Sequence, residues 1–229
     1  MLDVASIVIP TYNESKNLPI IVNKLQQISD KIAGQIEIVV VDDNSPDGTG
    51  KIADDLALKY GNITVVHRSS KMGVGTAVYE GILAAKSEHI VMMDADLHHQ
   101  PEFVPFITTP LQEYEIVIAS RFIEGSGMDA SSFQRRIATK AGNWLARTLL
   151  HMGVRDYTHG FRGYQKKAFL ECYSPRDTGG EFNLRILIEA KKRGFKIYEV
   201  PYHSEHMGKS KIRDWLKYLW LLVRVSLTS

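Results

Sequence analysis

The sequence predicts an α/β domain with a mainly parallel sheet and helices on both faces. Short apolar runs rich in Val and Ile recur along the first half of the chain, and a helix-like stretch follows most of them. Where the runs end, the loops are dense in Asp, Asn, Ser and Gly, as expected at one rim of such a sheet. At 229 residues and 44% hydrophobic content, the chain can bury a full core as one domain.

In order, strands are predicted at VASIVIP (4–10), IEIVVVDD (36–43), ITVVH (63–67), HIVMMD (89–94) and EIVIAS (115–120). Their continuous apolar character suits strands buried on both faces. Helices are predicted over 17–33, 48–59 and 74–86, the second beginning beside Asp47 and Thr49, residue types that favour helix starts. The second half is less regular: a helix near 134–151, a turn region DYTHGFRGY, a helix near 181–193, a strand KIYEVPY and a last helix from about 212. There is no internal repeat and no low-complexity linker.

Composition narrows the function. With 28 basic and 26 acidic residues, the net charge of +2 provides no field of the kind that marks a nucleic-acid binder. The single cysteine, Cys172, excludes internal disulfides, and the start MLDVASIVIP has no basic n-region, so the catalytic part is expected to face a reducing cytosol.

Four strand-end loops carry the unusual residues: PTYNES, DDNSPDGT, RSSKMGVGTA and DADLHH. A dinucleotide site would need a glycine fingerprint after the first strand, where Pro10, Thr11, Tyr12, Asn13 and Glu14 stand instead. Gly73 and Gly75 come after the third strand and lack the third glycine. Asp94 and Asp96 would face one site if extended geometry persisted past the strand. Paired carboxylates are hard ligands suited to Mg²⁺ or Mn²⁺, which leave positions for phosphate oxygens. Taken alone, an Asp-x-Asp reads more readily as a helix cap at Asp96 and a solvated strand end at Asp94 than as a metal site. A second acidic pair, Asp42 and Asp43, on a neighbouring loop favours the site, with a nucleoside near Asp43 and its diphosphate on Asp96. Zinc is not indicated, because neither His-Glu-x-x-His nor a cysteine pair occurs. His98 reads as an auxiliary ligand or a phosphate contact; His99, His159, His203 and His206 read as structural or exposed. Cations cluster at Arg121, Arg135, Arg136, Lys140, Arg162, Lys209 and Lys211, a set suited to a second, anionic reactant.

IPTYNESKNLP, VVVDDNSPDGT, KMGVGTA, MDADLHH, ASRF and GKSK together resemble, in order and spacing, the GT-A glycosyltransferases of family 2, and most closely the dolichyl-phosphate mannosyltransferases. The resemblance spans nearly the whole chain and implies a GT-A catalytic domain over 1–211 followed by an amphipathic helix over 212–229. It implies mannose transfer, with inversion, from GDP-mannose to dolichyl or another polyisoprenyl phosphate, the product serving protein glycosylation. Carried over by position, Pro10, Tyr12, Glu14, Val41 and Asp43 would hold the guanosine part, and Asp94, Ala95 and Asp96 the diphosphate and metal. Arg121 and Lys211 would contact donor phosphates, while Arg135 and Thr139 would grip the acceptor phosphate; Asp96, Arg121 and Arg135 form the catalytic group. Relatives often carry Gln where His98 stands, so His98 becomes the third expected metal ligand and would favour Mn²⁺. Relatives also carry an Arg shortly before the last glycine, where this chain has His203, Glu205 and His206.

A lipid-linked acceptor implies a membrane surface, but no uncharged apolar run reaches the roughly 18 residues of a span. IRDWLKYLWLLVRVSLTS instead suits an interfacial helix, which the alternative of core packing would also explain. The expected placement is peripheral, on the cytoplasmic face of a membrane, with membrane partner subunits as in some relatives. Two other functions fit the residues: a polyprenyl-phosphate glucosyltransferase using a UDP-sugar, and a non-catalytic sugar-nucleotide-binding subunit. The second is disfavoured because binding alone would not require the acceptor cations.

Overall fold

The computed structural model describes residues 5–29, 36–128, 133–204, 220 and 222. Its centre is a seven-stranded sheet containing β1 (Ala5–Thr11), β2 (Ile36–Asp42), β3 (Ile63–His67), β4 (His89–Met92), β5 (Ile116–Ser120), β7 (Arg162–Gln165) and β8 (Ile197–Pro201). The spatial order is β3-β2-β1-β4-β7-β5-β8, and only β7 runs antiparallel to its neighbours. A two-stranded ribbon pairs β6 (Gly127–Met128) with β9 (His203–Ser204).

Alternation along the strands divides the core into two layers. In β2 every residue is buried: Val39 and Val41 join one layer, while Ile38 and Val40 join the other. The second layer receives α1 (Leu18–Ser29), whose buried Leu18, Ile21, Val22, Leu25 and Ile28 keep helical spacing, together with α2 (Thr49–Tyr60) and α4 (Val104–Thr108). The first layer receives α3 (Val74–Ala84), α5 (Phe133–Leu150), α6 (Lys166–Cys172) and α7 (Phe182–Arg193). Glu37 is a buried carboxylate near the start of β2; Ser6 Oγ and the Lys86 amide donate to it at 2.5 and 2.8 Å, which offsets its loss of water.

All six predicted strands and the helices over the described residues are present within a few residues. The turn region read at DYTHGFRGY is different: its end forms β7, and α6 follows. RGYQ has neither a long apolar run nor a Val or Ile, so its strand character comes from the β4 and β5 edges on either side. Of the last helix expected from 212, only Trp220 and Leu222 are described; both are helical, Leu222 fully buried in the core and Trp220 60% exposed. Among the described residues no helix is long and apolar enough to cross a membrane.

Strand order reverses between β1 and β4. Crossovers leave the sheet in opposite directions there, opening a crevice beyond the carboxyl ends of those two strands.

Candidate active site

One wall of the crevice is a brace between two loops. The β1 loop donates the amides of Asn13, Glu14 and Ser15 to Ser45 Oγ, Thr49 Oγ1 and Asp47 Oδ2, at 3.0, 2.9 and 3.1 Å. Asp42 accepts from the Ser45 amide and hydroxyl at 3.1 and 2.5 Å. Slight burial opposes ionisation of Asp47, but hydrogen bonds from Thr49 and Ser15 outweigh it and hold its pKa down to about 2. Much of DDNSPDGT is therefore scaffold that fixes the β1 loop. Asn13 and Asn44 take left-handed backbone at φ 61° and 57°, which Asn tolerates.

Of the expected nucleoside residues, Pro10 and Tyr12 lie on this wall, with the Lys71 ammonium 3.3 Å from the Tyr12 ring centre. The Val41 side chain is wholly in the core and its carbonyl accepts from Thr11 Oγ1 at 3.1 Å, so only its main chain borders the rim. Asp43 is buried and paired with Arg68, a partner that sequence reasoning missed. Arg68 also meets Glu80 at 3.2 Å and Thr76 Oγ1 at 2.7 Å. Gly73, at φ +105°, and Gly75 have a different task from a phosphate loop: a side chain at either would overlap the carbonyl of Thr178 or Asp177, so they allow close backbone packing.

The extended geometry expected through Asp96 stops early. β4 ends at Met92, and the chain bends through 95–97 with Leu97 at φ 63°, an uncommon and costly backbone for Leu. Asp94 and Asp96 thus lie beyond the strand, at the start of this bend, rather than on an extended strand. His98 donates its amide to Asp96 Oδ1 at 3.2 Å, and its Nδ1 lies 2.7 Å from Asp96 Oδ2. His99 is more than the ordinary loop residue its sequence suggests. It is buried, its Nδ1 accepts the Asp94 amide at 3.0 Å, and its ring stacks on Phe161 at 4.7 Å. Burial lowers the His99 pKa, and the accepting Nδ1 places the proton of the neutral ring on Nε2.

Burial raises the Asp94 pKa, and the nearby Asp96 charge adds to the effect. Glu14 is also raised, first by burial, then by the charges of Asp96, Asp47 and Asp94, against a hydrogen bond from Asn17. Glu14, Asp94 and Asp96 therefore share a negative corner whose charge a divalent cation would relieve. Among the described residues no three His, Cys, Asp or Glu side chains form a ready-made metal cage. Two carboxylates nevertheless fit Mg²⁺ or Mn²⁺, which take oxygen donors and complete their shell with phosphate and water.

Across the crevice, Arg121 follows β5. It is buried and gripped by Asp156: Nε to Oδ2 at 2.7 Å, Nη2 to Oδ1 at 2.9 Å, and its amide to Oδ2 at 3.1 Å. Burial alone would raise the Asp156 pKa, but the Arg121 charge and hydrogen bonds drive it well below the carboxylate range. Thr158 Oγ1 accepts from Arg121 Nη2 at 2.9 Å and from Asn143 Nδ2 of α5 at 3.1 Å. Thr139, expected at the acceptor phosphate, is buried one turn before Asn143, while Lys140 is exposed. Arg135 is placed only as a backbone position in the first turn of α5, and Lys209 and Lys211 lie outside the described residues.

Arg162 departs from the predicted basic half-site. It is fully buried and donates to the carbonyls of His159, Asn183 and Tyr157 at 2.7 to 2.9 Å, so it ties the 157–159 turn to the start of α7. Nothing in the linear sequence pairs Asp156 with Arg121, 35 positions apart, or draws Asn143 toward Thr158. The one available signal was the polar density of DYTHG.

The family described as Glycosyl transferase family 2 matches residues 6–172. Polyprenol monophosphomannose synthase of Mycolicibacterium smegmatis is 34% identical over 215 residues, covering 90% of this chain and 80% of that protein. Undecaprenyl-phosphate mannosyltransferase of Micrococcus luteus is 32% identical over 212 residues, covering 90% and 86%. Among solved structures, glucosyl-3-phosphoglycerate synthase from Mycobacterium tuberculosis, in complex with Mn²⁺, UDP and glucosyl-3-phosphoglycerate, superposes with a TM-score of 0.70. That match covers 98% of this chain and 78% of the other at 20% identity, so it establishes the shared fold.

Proposed function

The chain belongs to glycosyl transferase family 2 and is a glycosyltransferase, and from that premise we propose that it moves mannose from GDP-mannose to a polyisoprenyl phosphate at a membrane surface. The observation that carries this reading is the pairing of a carboxylate corner, Glu14, Asp94 and Asp96, with a cationic wall at Arg121 across the β1–β4 crevice. The carboxylates suit a metal that holds the donor diphosphate, and Arg121 suits the phosphate oxygens of that diphosphate from the other side. The curated relatives are named for mannosyl transfer to polyprenol or undecaprenyl phosphate, which supports the sugar and the acceptor class.

In this reading Pro10, Tyr12, Glu14 and Asp43 line the nucleoside side. Asp94, Ala95 and Asp96 hold the diphosphate end, and Asp94 and Asp96, with His98 as auxiliary, would hold Mg²⁺ or Mn²⁺. When bound, that ion neutralises the departing nucleoside diphosphate. Arg121 and Lys211 steady donor phosphates; Arg135 and Thr139 seat the acceptor phosphate. An acceptor oxygen attacks the anomeric carbon from the face opposite the diphosphate, the carbon–oxygen bond to the diphosphate breaks, and configuration inverts. A phosphate monoester, with a second pKa of about 6, is already largely dianionic at neutral pH, so no general base is needed. The protein's work is to position two repelling anions and stabilise the leaving one.

The deciding experiment incubates the protein with Mn²⁺, a short polyprenyl phosphate and, separately, GDP-mannose, UDP-glucose or UDP-N-acetylglucosamine, and follows nucleoside diphosphate release and lipid product. Lipid product from GDP-mannose alone is expected. Product from a UDP-sugar alone would overturn the donor assignment, and no product with any donor would overturn the transferase reaction proposed here.

A further inference from the structure

Arg121 and α5 come from different parts of the chain, yet one hydroxyl joins them. Thr158 Oγ1 accepts from Arg121 Nη2 at 2.9 Å and from Asn143 Nδ2 at 3.1 Å, and lies 3.3 Å from Asp156 Oδ1, toward which its own proton points. Asn143 is buried and belongs to α5; its Nδ2 also donates to the Thr139 carbonyl at 3.0 Å, and its Oδ1 accepts the Tyr157 amide at 2.7 Å. The Asp156 side chain is fixed by the Arg121 fork and by the Thr158 and His159 amides, both at 3.1 Å. The Arg155 and Asp156 amides in turn donate to Glu199 of β8 at 2.8 and 2.9 Å.

The bonds differ in what they can do. The Asp156 carboxylate fixes Arg121 to its own loop, and Asn143 fixes α5 to that loop by accepting the Tyr157 amide. Only Thr158 Oγ1 touches both the guanidinium and the α5 side chain among these contacts. We infer that the Thr158 hydroxyl is a positioning group that couples the acceptor-side helix α5 to the donor-side cation Arg121. This rests on the donor and acceptor roles proposed above. A shift of α5 as it seats an acceptor phosphate beside Thr139 moves Asn143, and through Thr158 sets the plane of the Arg121 fork. Binding on the two sides is then cooperative, and by linkage each ligand strengthens the other equally. Such a bridge offsets the repulsion between the two anions at the moment both are bound.

The test uses the full chain with Mn²⁺ and reads two quantities separately. Calorimetry gives the affinity for GDP and for UDP with and without a saturating short polyprenyl phosphate; turnover is measured in parallel. Wild-type protein is expected to bind its preferred diphosphate about fivefold more tightly when the acceptor is present, an ordinary coupling strength. Thr158→Val keeps the shape and removes the hydroxyl, with its contacts to Arg121, Asn143 and Asp156. It should bind the diphosphate alone within about twofold of wild type, lose the acceptor-induced gain, and turn over roughly tenfold more slowly, the scale of one charge-assisted hydrogen bond. Thr158→Ser should restore both. If Thr158→Val fails to melt cooperatively, Thr158→Ala replaces it with the same expected loss. Persistence of the gain in the hydroxyl-free variant, or its absence in wild type, overturns the coupling. Because the gain is read from binding, a failure of sugar transfer counts against the proposed reaction separately.

Discussion

The Asp156 carboxylate and the Arg121 guanidinium form a two-pronged pair, at 2.7 and 2.9 Å, with both side chains shielded from solvent. Breaking such a pair from one side leaves an uncompensated buried charge. Asp156→Asn is therefore expected to cost about 3–5 kcal/mol of stability. Denaturant unfolding checks the size, and donor binding by the variant should weaken along with it. Arg121→Lys tests the fork more gently: it keeps the charge but loses the planar bidentate geometry, and turnover is expected to fall more than tenfold, by about 1.5–3 kcal/mol of transition-state stabilisation. Full activity in Arg121→Lys would show that only the charge matters.

Asp96→Ala removes one of two oxygen donors from the carboxylate corner. Metal-dependent turnover is expected to vanish, and Mn²⁺ affinity, read by calorimetry in the presence of the diphosphate, to fall by at least tenfold. Unchanged activity would sink the metal assignment. Asp94→Asn should behave similarly but leave the backbone intact, since its amide remains available to His99 Nδ1.

Arg135→Ala should raise the KM for polyprenyl phosphate about tenfold while changing the KM for the sugar nucleotide little. Steady-state kinetics with each substrate varied in turn separates the two. Equal loss on both sides would remove Arg135 from the acceptor phosphate and return it to general surface charge.

His159 supplies a stability prediction. Its Nδ1 lies 2.6 Å from the Ala119 carbonyl, to which it donates, and its ring stacks on Tyr202 at 5.2 Å. Burial first, then the Arg121 charge, push its pKa well below the ordinary histidine value. In the folded state the ring stays neutral where an unfolded chain would take up a proton. Stability is therefore undiminished above the unfolded value of about 6.5 and falls as pH drops below it, by about 1.4 kcal/mol per pH unit for each such proton. Thermal melts between pH 7.5 and 5.5 should show this slope, and His159→Gln should flatten it.

Strands buried on both faces announced themselves as unbroken Val and Ile runs, because two apolar layers leave no polar alternation; β1, β2 and β5 were legible for that reason. β7 was not, since its residues Arg162 to Gln165 carry no such run and owe their strand to its neighbours. In the candidate site, Asp94 and Asp96 were legible as chemistry, but the turn after them, which carries His98 and His99 back toward the two carboxylates, has Leu97 at φ 63°, which no local preference of Leu would suggest. Arg121 was legible as a strand-end cation. Its partner Asp156, the bridge at Thr158 and the Asp43–Arg68 pair depend on tertiary proximity alone. Arg162 misled for the converse reason: its charge suggested a ligand, whereas it is fully buried and each of its three nitrogens donates to a main-chain carbonyl.

On α5, Ile137, Lys140, Ala141, Trp144, Arg147 and Thr148 are all exposed and fall on one helical face, with Ile137 51% and Trp144 65% accessible. An exposed Ile and Trp flanked by cations suit the boundary of an anionic bilayer, where the ring sits at headgroup depth and the charges meet lipid phosphates. Each cation near such a surface contributes about 1 kcal/mol, so binding should be stronger to anionic than to neutral vesicles and should weaken with salt. Trp144→Ala combined with Lys140→Glu is expected to reduce sedimentation with anionic vesicles by at least tenfold. Transfer to a short acceptor dispersed without vesicles should fall far less. If the paired variant sediments like wild type, this face of α5 does not contact lipid, and the approach to the acceptor must be sought on another surface.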